Sequence, residues 1–137
     1  MTEPDAARQA LVHQLVSAPA ARRLGIAVGT FSPSEVRLTL PADTGNCTYG
    51  DVVHGGVIAT LADTAGVAVS IANARQLPTG GATTTLSISY LRPAAMGTLT
   101  ARARLLHGGG RHNVARVTVT DPSEQSVAEC HVTVTLS

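Results

Sequence analysis

Residues 54–74 read HGGVIATLADTAGVAVSIANA, and this segment is the strongest indicator of the fold. It is rich in Gly, Ala and Val, and a segment containing Pro and Gly follows it at positions 78–81. The composition predicts one helix from Gly55 to about Ala74, roughly 30 Å long at about 1.5 Å per residue. The stretch is apolar enough to suggest a membrane span, but it carries His54 and Asp63, and small residues where spans favour bulky ones. A helix buried inside a globular domain is therefore predicted.

Strand-like runs, one punctuated by glycines and the others with apolar and polar residues in alternation, predict six strands around this helix. Two precede it, at 24–31 and 35–40, and a Ser-Pro-Ser turn at 32–34 joins them as a hairpin. Four follow it, at 83–92, 98–106, 114–120 and 127–136. A first helix is expected over residues 5–17, where Pro19 ends it.

The order of these elements predicts an α+β fold. Six antiparallel strands must bury their apolar faces, and the long helix is the only element large and apolar enough to cover them. We therefore expect a six-stranded antiparallel sheet wrapped around one long central helix, with a short N-terminal helix. At 137 residues the chain fits one such domain. We place this domain at 23–137, after an N-terminal helical segment at 1–22.

Composition and charge argue against several classes of partner. The formal net charge is +1 and aromatic residues are scarce, so the positive charge and the stacking side chains that nucleic acid requires are both missing. No membrane partner is expected either. Cys47 and Cys130 lie far apart and form no CxxC motif, so neither a metal site nor a redox motif is predicted. The polar N-terminus does not resemble a signal peptide, and a reducing cytoplasm is the expected location.

Asp63 is the strongest candidate for a catalytic residue. It is the only formally charged residue between Asp51 and Arg75, and its neighbours along the helix are mostly Ala, Leu and Val. An unpaired carboxylate in such surroundings is costly, so a fold retains one that is paired, neutralised or used in chemistry. A structural role stays open, in which Asp63 accepts hydrogen bonds from a neighbouring loop or a partner chain.

The helix start, His54-Gly55-Gly56, is the second candidate element. The first N–H groups of a helix lack internal partners and lie at the positive end of its dipole, and glycine lets a substrate carbonyl approach them. Such N–H groups can stabilise the oxyanion that forms when the carbonyl is attacked. The alternative is a tight turn that needs glycine. For His54, a packing or loop-bonding role is as open as a catalytic one.

The spacing of these two candidates predicts a dimer. Gly55 and Asp63 are eight residues apart, which is about 12 Å along one helix. Reacting atoms must approach to about 3–3.5 Å, so one carbonyl carbon cannot meet both residues of the same chain. If both act in one reaction they come from two copies, and the active sites are composite sites at a homodimer interface.

The run HGGVIATLADTA at 54–65 resembles the signature of hotdog-fold thioesterases of the phenylacetate-degradation type. The later run LSISYLRPA at 86–94 resembles the strand that follows the helix in the same family. The resemblance covers about residues 23–137 in matching element order. It implies a hotdog fold, dimers that often pair into tetramers, and hydrolysis of acyl-CoA thioesters. No metal and no separate cofactor are implied, since coenzyme A is part of the substrate.

The resemblance also implies roles for individual residues. Asp63 matches the family's base or nucleophile, and Gly55 matches its backbone donor. Thr83 falls near the Ser or Thr that helps to hold water, although an ordinary strand threonine is the alternative. The alternation of the strand places Thr83, Thr85, Ser87 and Ser89 on its polar face and Leu86, Ile88 and Tyr90 on the opposite one.

One position departs from the family pattern. The family usually has an Asn six residues before the histidine, where this chain has Thr48, and Asn46 lies two residues earlier. Either a longer loop brings Asn46 into the same place, or Asn46 is a turn residue and the role is lost. Thr48 and Gly56 are assigned to substrate binding. Arg92 and Arg111 are expected at the rim that holds the phosphates of coenzyme A, with solvated surface arginines as the alternative.

An acyl-CoA thioesterase is therefore the leading hypothesis. Asp63 would activate water or attack the carbonyl directly, while the Gly55 N–H of the other subunit stabilises the oxyanion. One alternative is a hotdog dimer that binds acyl-CoA without hydrolysing it. A dehydratase on the same fold is a weaker alternative, because its paired Asp and His motif is not found. The acyl group is left open, with a slight preference for aliphatic or small aryl chains.

Overall fold

A computed structural model of the protein describes residues 2–137 and contains one sheet and three α-helices. The elements in chain order are α1 (Glu3–Ser17), α2 (Pro19–Leu24), β1 (Ala27–Phe31), β2 (Val36–Ala42), a 3-10 turn (Thr44–Asn46), α3 (Gly55–Ala72), β3 (Gly81–Tyr90), β4 (Gly97–His107), β5 (His112–Thr120) and β6 (Ser126–Leu136). The strands lie in the order β1-β2-β4-β5-β6-β3, and every neighbouring pair is antiparallel. The predicted α+β fold is confirmed.

Helix α3 is the centre of the core. It packs against β2 to β6 and against α1, and ten of its 18 residues are buried. The sheet meets it with short and branched aliphatic side chains that have no exposed surface, among them Leu38, Leu99, Val117 and Val132. By length and by a mean hydropathy of 1.5, α3 is a helix that could cross a membrane. Its burial inside the sheet is typical of a core helix.

Gly66 is the point of closest approach between α3 and the sheet. A Cβ atom at this position would lie 2.6 Å from the Val132 Cβ atom and 2.8 Å from its Cγ1 atom. Such distances are shorter than any van der Waals contact, so only glycine lets the helix lie this deep in the curved sheet. The small residues that distinguish 54–74 in sequence thus serve helix–sheet packing.

We expect Gly66→Ala to destabilise the protein by about 1–3 kcal/mol, because the overlap with Val132 must be relieved by shifting packed backbone. The better helix propensity of alanine offsets only about 1 kcal/mol of this. Ala59→Gly, at a half-buried position of the same helix, is a matched control that isolates the propensity effect. Urea unfolding monitored by circular dichroism checks both variants. A stability gain for Gly66→Ala would contradict the close approach.

The N-terminal region differs from the sequence-based expectation at one element. Pro19 does end α1, but it also begins the short helix α2, which ends at Leu24 and is capped by Gly25 with a φ of 73°. Leu24 therefore belongs to α2, and the first strand starts at Ala27. The reason is that proline is favoured in the first turn of a helix, where its missing N–H is not needed. Val12 and Ala21 place α1 and α2 in the common core.

Strand β3 lies at an edge of the sheet and carries a bulge that the alternation rule does not reveal. Thr83 pairs with Val134 and Thr85 pairs with Thr133, so Thr84 is the extra residue. The bulge reverses the alternation and turns Thr83 towards α3, on the same side as Leu86. The prediction that Thr83 shares the polar face of the strand with Thr85, opposite Leu86, is therefore wrong. Beyond β6, this ten-residue strand has no other neighbour in the sheet of residues 2–137.

Candidate active site

Asp63 lies in the middle of α3 and is half-buried. Its Oδ1 atom accepts a hydrogen bond of 2.5 Å from the Thr83 hydroxyl across the interior of the domain. Within the described part of the chain, no basic side chain forms an ion pair with Asp63, and its Oδ2 atom accepts no hydrogen bond. Asp63 is therefore a carboxylate held in one orientation by one partner, with its second oxygen open to water or a substrate.

His54 caps the N-terminus of α3. Its Nδ1 atom accepts a hydrogen bond of 2.8 Å from the Gly56 N–H, which places the proton of a neutral ring on Nε2. A Cβ atom on Gly56 would lie 2.9 Å from this Nδ1 atom, so glycine at 56 is what admits the imidazole cap. The structure thus supports a positioning role for His54. The Gly56 N–H is already used by the cap.

Gly55 presents the free donor of the helix start. Across residues 2–137, the Gly55 N–H makes no hydrogen bond. Its carbonyl oxygen instead accepts a hydrogen bond of 2.7 Å from the hydroxyl of Tyr90, at the end of β3. A Cβ atom on Gly55 would lie 3.1 Å from the Tyr90 Cζ atom. Tyr90 therefore holds the peptide between Gly55 and Gly56 through its carbonyl oxygen, while the Gly55 N–H, in the peptide before it, has no partner among the described residues.

Tyr90 is the site residue that sequence reasoning missed. Its ring is half-exposed, and burial, followed by the nearby Cys130, raises the pKa of its phenol. The hydroxyl therefore keeps its proton at neutral and mildly alkaline pH and stays a donor to Gly55. The available signal was only that Tyr90 shares a strand face with Leu86 and Ile88. Its contact with a residue 35 positions earlier is a tertiary contact.

We expect Tyr90→Phe to lower kcat for the hydrolysis predicted from the sequence by about threefold to tenfold, because a lost hydrogen bond of about 1 kcal/mol loosens the Gly55 peptide. Steady-state kinetics should show the loss in kcat more than in KM. Tyr49→Phe is the matched control, since the Tyr49 ring is 80% exposed. Equal activity of both variants would show that the clamp is unnecessary for the reaction.

A cavity of about 460 Å³ opens at the helix start. It is lined by the predicted substrate-binding residues Thr48 and Arg92, together with Gly55 and Tyr90. The exposed Arg92 guanidinium donates a hydrogen bond of 2.8 Å to the Gln125 side chain and forms no ion pair with a carboxylate of the described residues. The structure therefore brings Thr48, Gly55 and Arg92 together in one cavity with a free positive charge at its rim.

Two predicted site residues lie elsewhere. The Asn46 side chain accepts a hydrogen bond of 2.9 Å from the Asp43 N–H as part of a cap on the 3-10 turn, which matches the turn-residue interpretation. Its carbonyl oxygen accepts a hydrogen bond of 2.8 Å from the His54 N–H, so Asn46 supports the loop before α3. Arg111 lies beyond the opposite end of α3, in a cavity that it shares with Arg75. It does not meet Arg92 within one chain.

The two chemical groups of the site do not meet within one chain. Gly55 and Asp63 belong to the same continuous helix, so about 12 Å of helix separates them.

Burial raises the pKa of the Cys130 thiol to about 12, so this thiol is not a rival nucleophile at neutral pH. The part of the chain that the structure describes contains no group of three His, Cys, Asp or Glu side chains placed to hold a metal ion.

Comparison with known proteins assigns the family. The model of the thioesterase superfamily matches residues 50–128. A protein of Halobacterium salinarum named as an esterase is 39% identical over 110 residues, which cover 77% of this chain and 72% of that protein. The chain therefore belongs to the thioesterase superfamily, and it is a thioester hydrolase.

Solved structures agree with this assignment. A thioesterase from Haemophilus influenzae is 28% identical with a TM-score of 0.77, covering 90% of this chain and 86% of that one. A Streptococcus mutans protein bound to acetyl-CoA is 30% identical with a TM-score of 0.72, covering 82% and 88%. The PaaI protein of the Escherichia coli phenylacetic acid degradation operon is 23% identical with a TM-score of 0.82, covering 97% and 95%, and shows the same fold. The predicted hotdog fold is confirmed.

Proposed function

We propose that the protein hydrolyses acyl-CoA thioesters as a homodimer, with Asp63 of one subunit and the Gly55 N–H of the other acting on the same carbonyl. The observation that carries this proposal is the placement of an open carboxylate and a free N–H on one helix, about 12 Å apart. Neither group alone both activates a nucleophile and stabilises an oxyanion. A second copy supplies the missing group.

Strand β3 offers a way to assemble such a dimer. Thr83 near its start contacts Asp63, and Tyr90 at its end contacts Gly55. If two β3 edges pair antiparallel about a two-fold axis, the start of one strand lies beside the end of the other. That pairing extends the sheet and brings Asp63 of one subunit towards Gly55 of its partner. It also covers an edge that is otherwise open to aggregation.

The proposed reaction begins with the thioester carbonyl oxygen on the Gly55 N–H, which polarises the bond and later stabilises the oxyanion. Asp63 removes a proton from water as the water oxygen attacks the carbonyl carbon. The carbon–sulfur bond then breaks, the thiolate leaves, and the proton held by Asp63 returns to the sulfur or to solvent. In the covalent route, Asp63 attacks the carbon itself and water hydrolyses the resulting anhydride. Thr83 keeps the carboxylate pointed at the carbon in both routes.

The acyl-CoA substrate is supported by two observations. The similar protein from Streptococcus mutans has a solved structure in which acetyl-CoA is bound. The cavity at the helix start carries Arg92 at its rim, where an unpaired guanidinium suits a phosphate of coenzyme A. Arg111 lies beyond the opposite end of α3, so it would contact the same substrate only as a residue of another subunit. A cytoplasmic location and a further pairing of dimers into a tetramer stay predictions.

Release of free coenzyme A from short, medium, long and aryl acyl-CoA thioesters, followed with a thiol reagent, tests the proposal. We expect turnover by the wild type and at least about a hundredfold loss in Asp63→Ala. Equal rates for the two proteins would overturn the proposed role of Asp63. Binding of acyl-CoA with no turnover by either protein would favour the non-catalytic binding module. Solvent oxygen-18 in a single turnover tests the two routes, because label that appears in Asp63 excludes the pure general-base route.

A further inference from the structure

A groove of about 390 Å³ opens beside Thr83, at the Asp63 end of the site. One wall comes from α1 through Leu11 and Leu15, and the other from α3 through Val67 and Ile71. Residues 78–82, which include the first two residues of β3, line the groove on a third side. It is separate from the cavity at the helix start, because the two share no lining residue.

The groove is aligned with Asp63. Asp63, Val67 and Ile71 follow one another at intervals of four residues, so they lie on the same face of α3. Thr83, which donates a hydrogen bond to Asp63, also lines the groove, so the carboxylate lies next to one end of it. From Asp63 to Ile71 this face is about 12 Å long. The groove continues the candidate site and is not an unrelated surface feature.

The residues that line the groove indicate which kind of ligand it can bind. Leu11, Leu15 and Val67 are only half-buried, although apolar side chains of this size are fully buried elsewhere in the core. The lining contains no charged side chain, so a second carboxylate on the substrate would have no counterion. It also contains no aromatic side chain to stack on an aryl ring. Unfilled aliphatic surface of this kind is covered best by a hydrocarbon chain.

We propose that this groove binds the acyl chain, that the substrate class is a linear aliphatic acyl group of medium length, and that α1 sets that length. This inference rests on the proposed function. A carbon–carbon bond of about 1.5 Å in a zigzag chain advances roughly 1.25 Å, so 12 Å of groove holds roughly six to ten carbons. The thiol side of the substrate then leaves towards Gly55 and Arg92 of the other subunit.

A chain-length series tests the inference. The kcat/KM of the wild type for linear acyl-CoAs should rise about two- to fourfold per methylene from butyryl to octanoyl or decanoyl, and then level off. Leu15→Phe narrows the groove and should lower kcat/KM for decanoyl-CoA by about tenfold or more, with butyryl-CoA within about twofold. Val67→Ala widens the groove and should move the optimum to longer chains. Leu106→Phe, at an outward leucine that is 57% exposed, is the matched control and should leave the profile unchanged.

The outcomes separate this inference from the proposed function. Three results would overturn the groove assignment alone. They are a flat chain-length profile, an equal loss for butyryl and decanoyl substrates in Leu15→Phe, and a preference for benzoyl-CoA over every linear substrate. Hydrolysis that does not depend on Asp63 would overturn the proposed function itself. If Leu15→Phe does not fold, Val67→Ala decides the matter, because alanine removes atoms and suits a helix.

Discussion

Asp63→Asn should lower kcat for acyl-CoA hydrolysis by about 10²- to 10⁴-fold while the protein stays folded. The amide oxygen of asparagine can still accept the hydrogen bond from the Thr83 hydroxyl, so the side chain keeps its orientation. The amide cannot take a proton from water, and it cannot form the anhydride either. The substitution therefore removes the chemistry of the carboxylate and little else.

Single-turnover and steady-state assays check this result, together with a thermal melt of each protein. Asp51→Asn is the matched control, because Asp51 is exposed, precedes the same helix and lines neither the helix-start cavity nor the groove. We expect the control to stay within about twofold of the wild type, as is usual for an exposed residue outside the site. An Asp63→Asn protein with wild-type kcat would show that the carboxylate has only a structural role.

The second large effect concerns the helix start. Gly55→Pro should lower kcat by about 10²- to 10³-fold relative to Gly55→Ala, because proline removes the one N–H that is proposed to hold the oxyanion. The fold accepts proline here, since 55 is the first residue of α3 and His54 before it is extended, with φ of −61° and ψ of 132°. Gly55→Ala is the matched control. It adds the same Cβ atom beside the Tyr90 ring and keeps the N–H.

Comparing the two variants isolates a single donor. Crowding against Tyr90 affects both, so a loss shared by Gly55→Ala and Gly55→Pro measures packing, and the extra loss in Gly55→Pro measures the N–H. Michaelis constants for the same acyl-CoA show whether substrate binding changes as well. Equal kcat values for the proline and alanine variants would exclude the Gly55 N–H from the reaction.

Most of the fold could be predicted from the sequence because its elements have simple periods. The apolar small-residue run from Gly55 to Ala72 has no competitor as the central helix, and each of the six strands overlaps its predicted range. The exceptions have local causes. Proline at 19 begins α2 as well as ending α1, and the bulge at Thr84 shifts the alternation of β3 by one residue. Neither the second helix nor the bulge can be recognised from the pattern of apolar and polar residues.

The candidate site could be predicted in part. The isolation of Asp63 among apolar residues and the glycines after His54 are visible in the sequence. Once a helix is predicted, the number of residues between Gly55 and Asp63 also gives their separation, and with it the prediction of a shared site. The clamp of Tyr90 on Gly55 was not visible, because it depends on how β3 lies across the start of α3. For Asn46, the choice between a turn role and a site role needed its hydrogen bond to Asp43, which only the folded loop provides.

The most direct test of a shared site is a mixed dimer purified through two different tags, with Asp63→Asn on one chain and Gly55→Pro on the other. If each site takes Asp63 from one subunit and Gly55 from its partner, one site carries both substitutions and the other carries none. We predict about half of the wild-type activity per dimer, although each variant alone is nearly inactive. A dimer with both substitutions on one chain and a wild-type partner should be nearly inactive. The reverse pattern, with the first dimer inactive and the second half-active, would contradict the shared site.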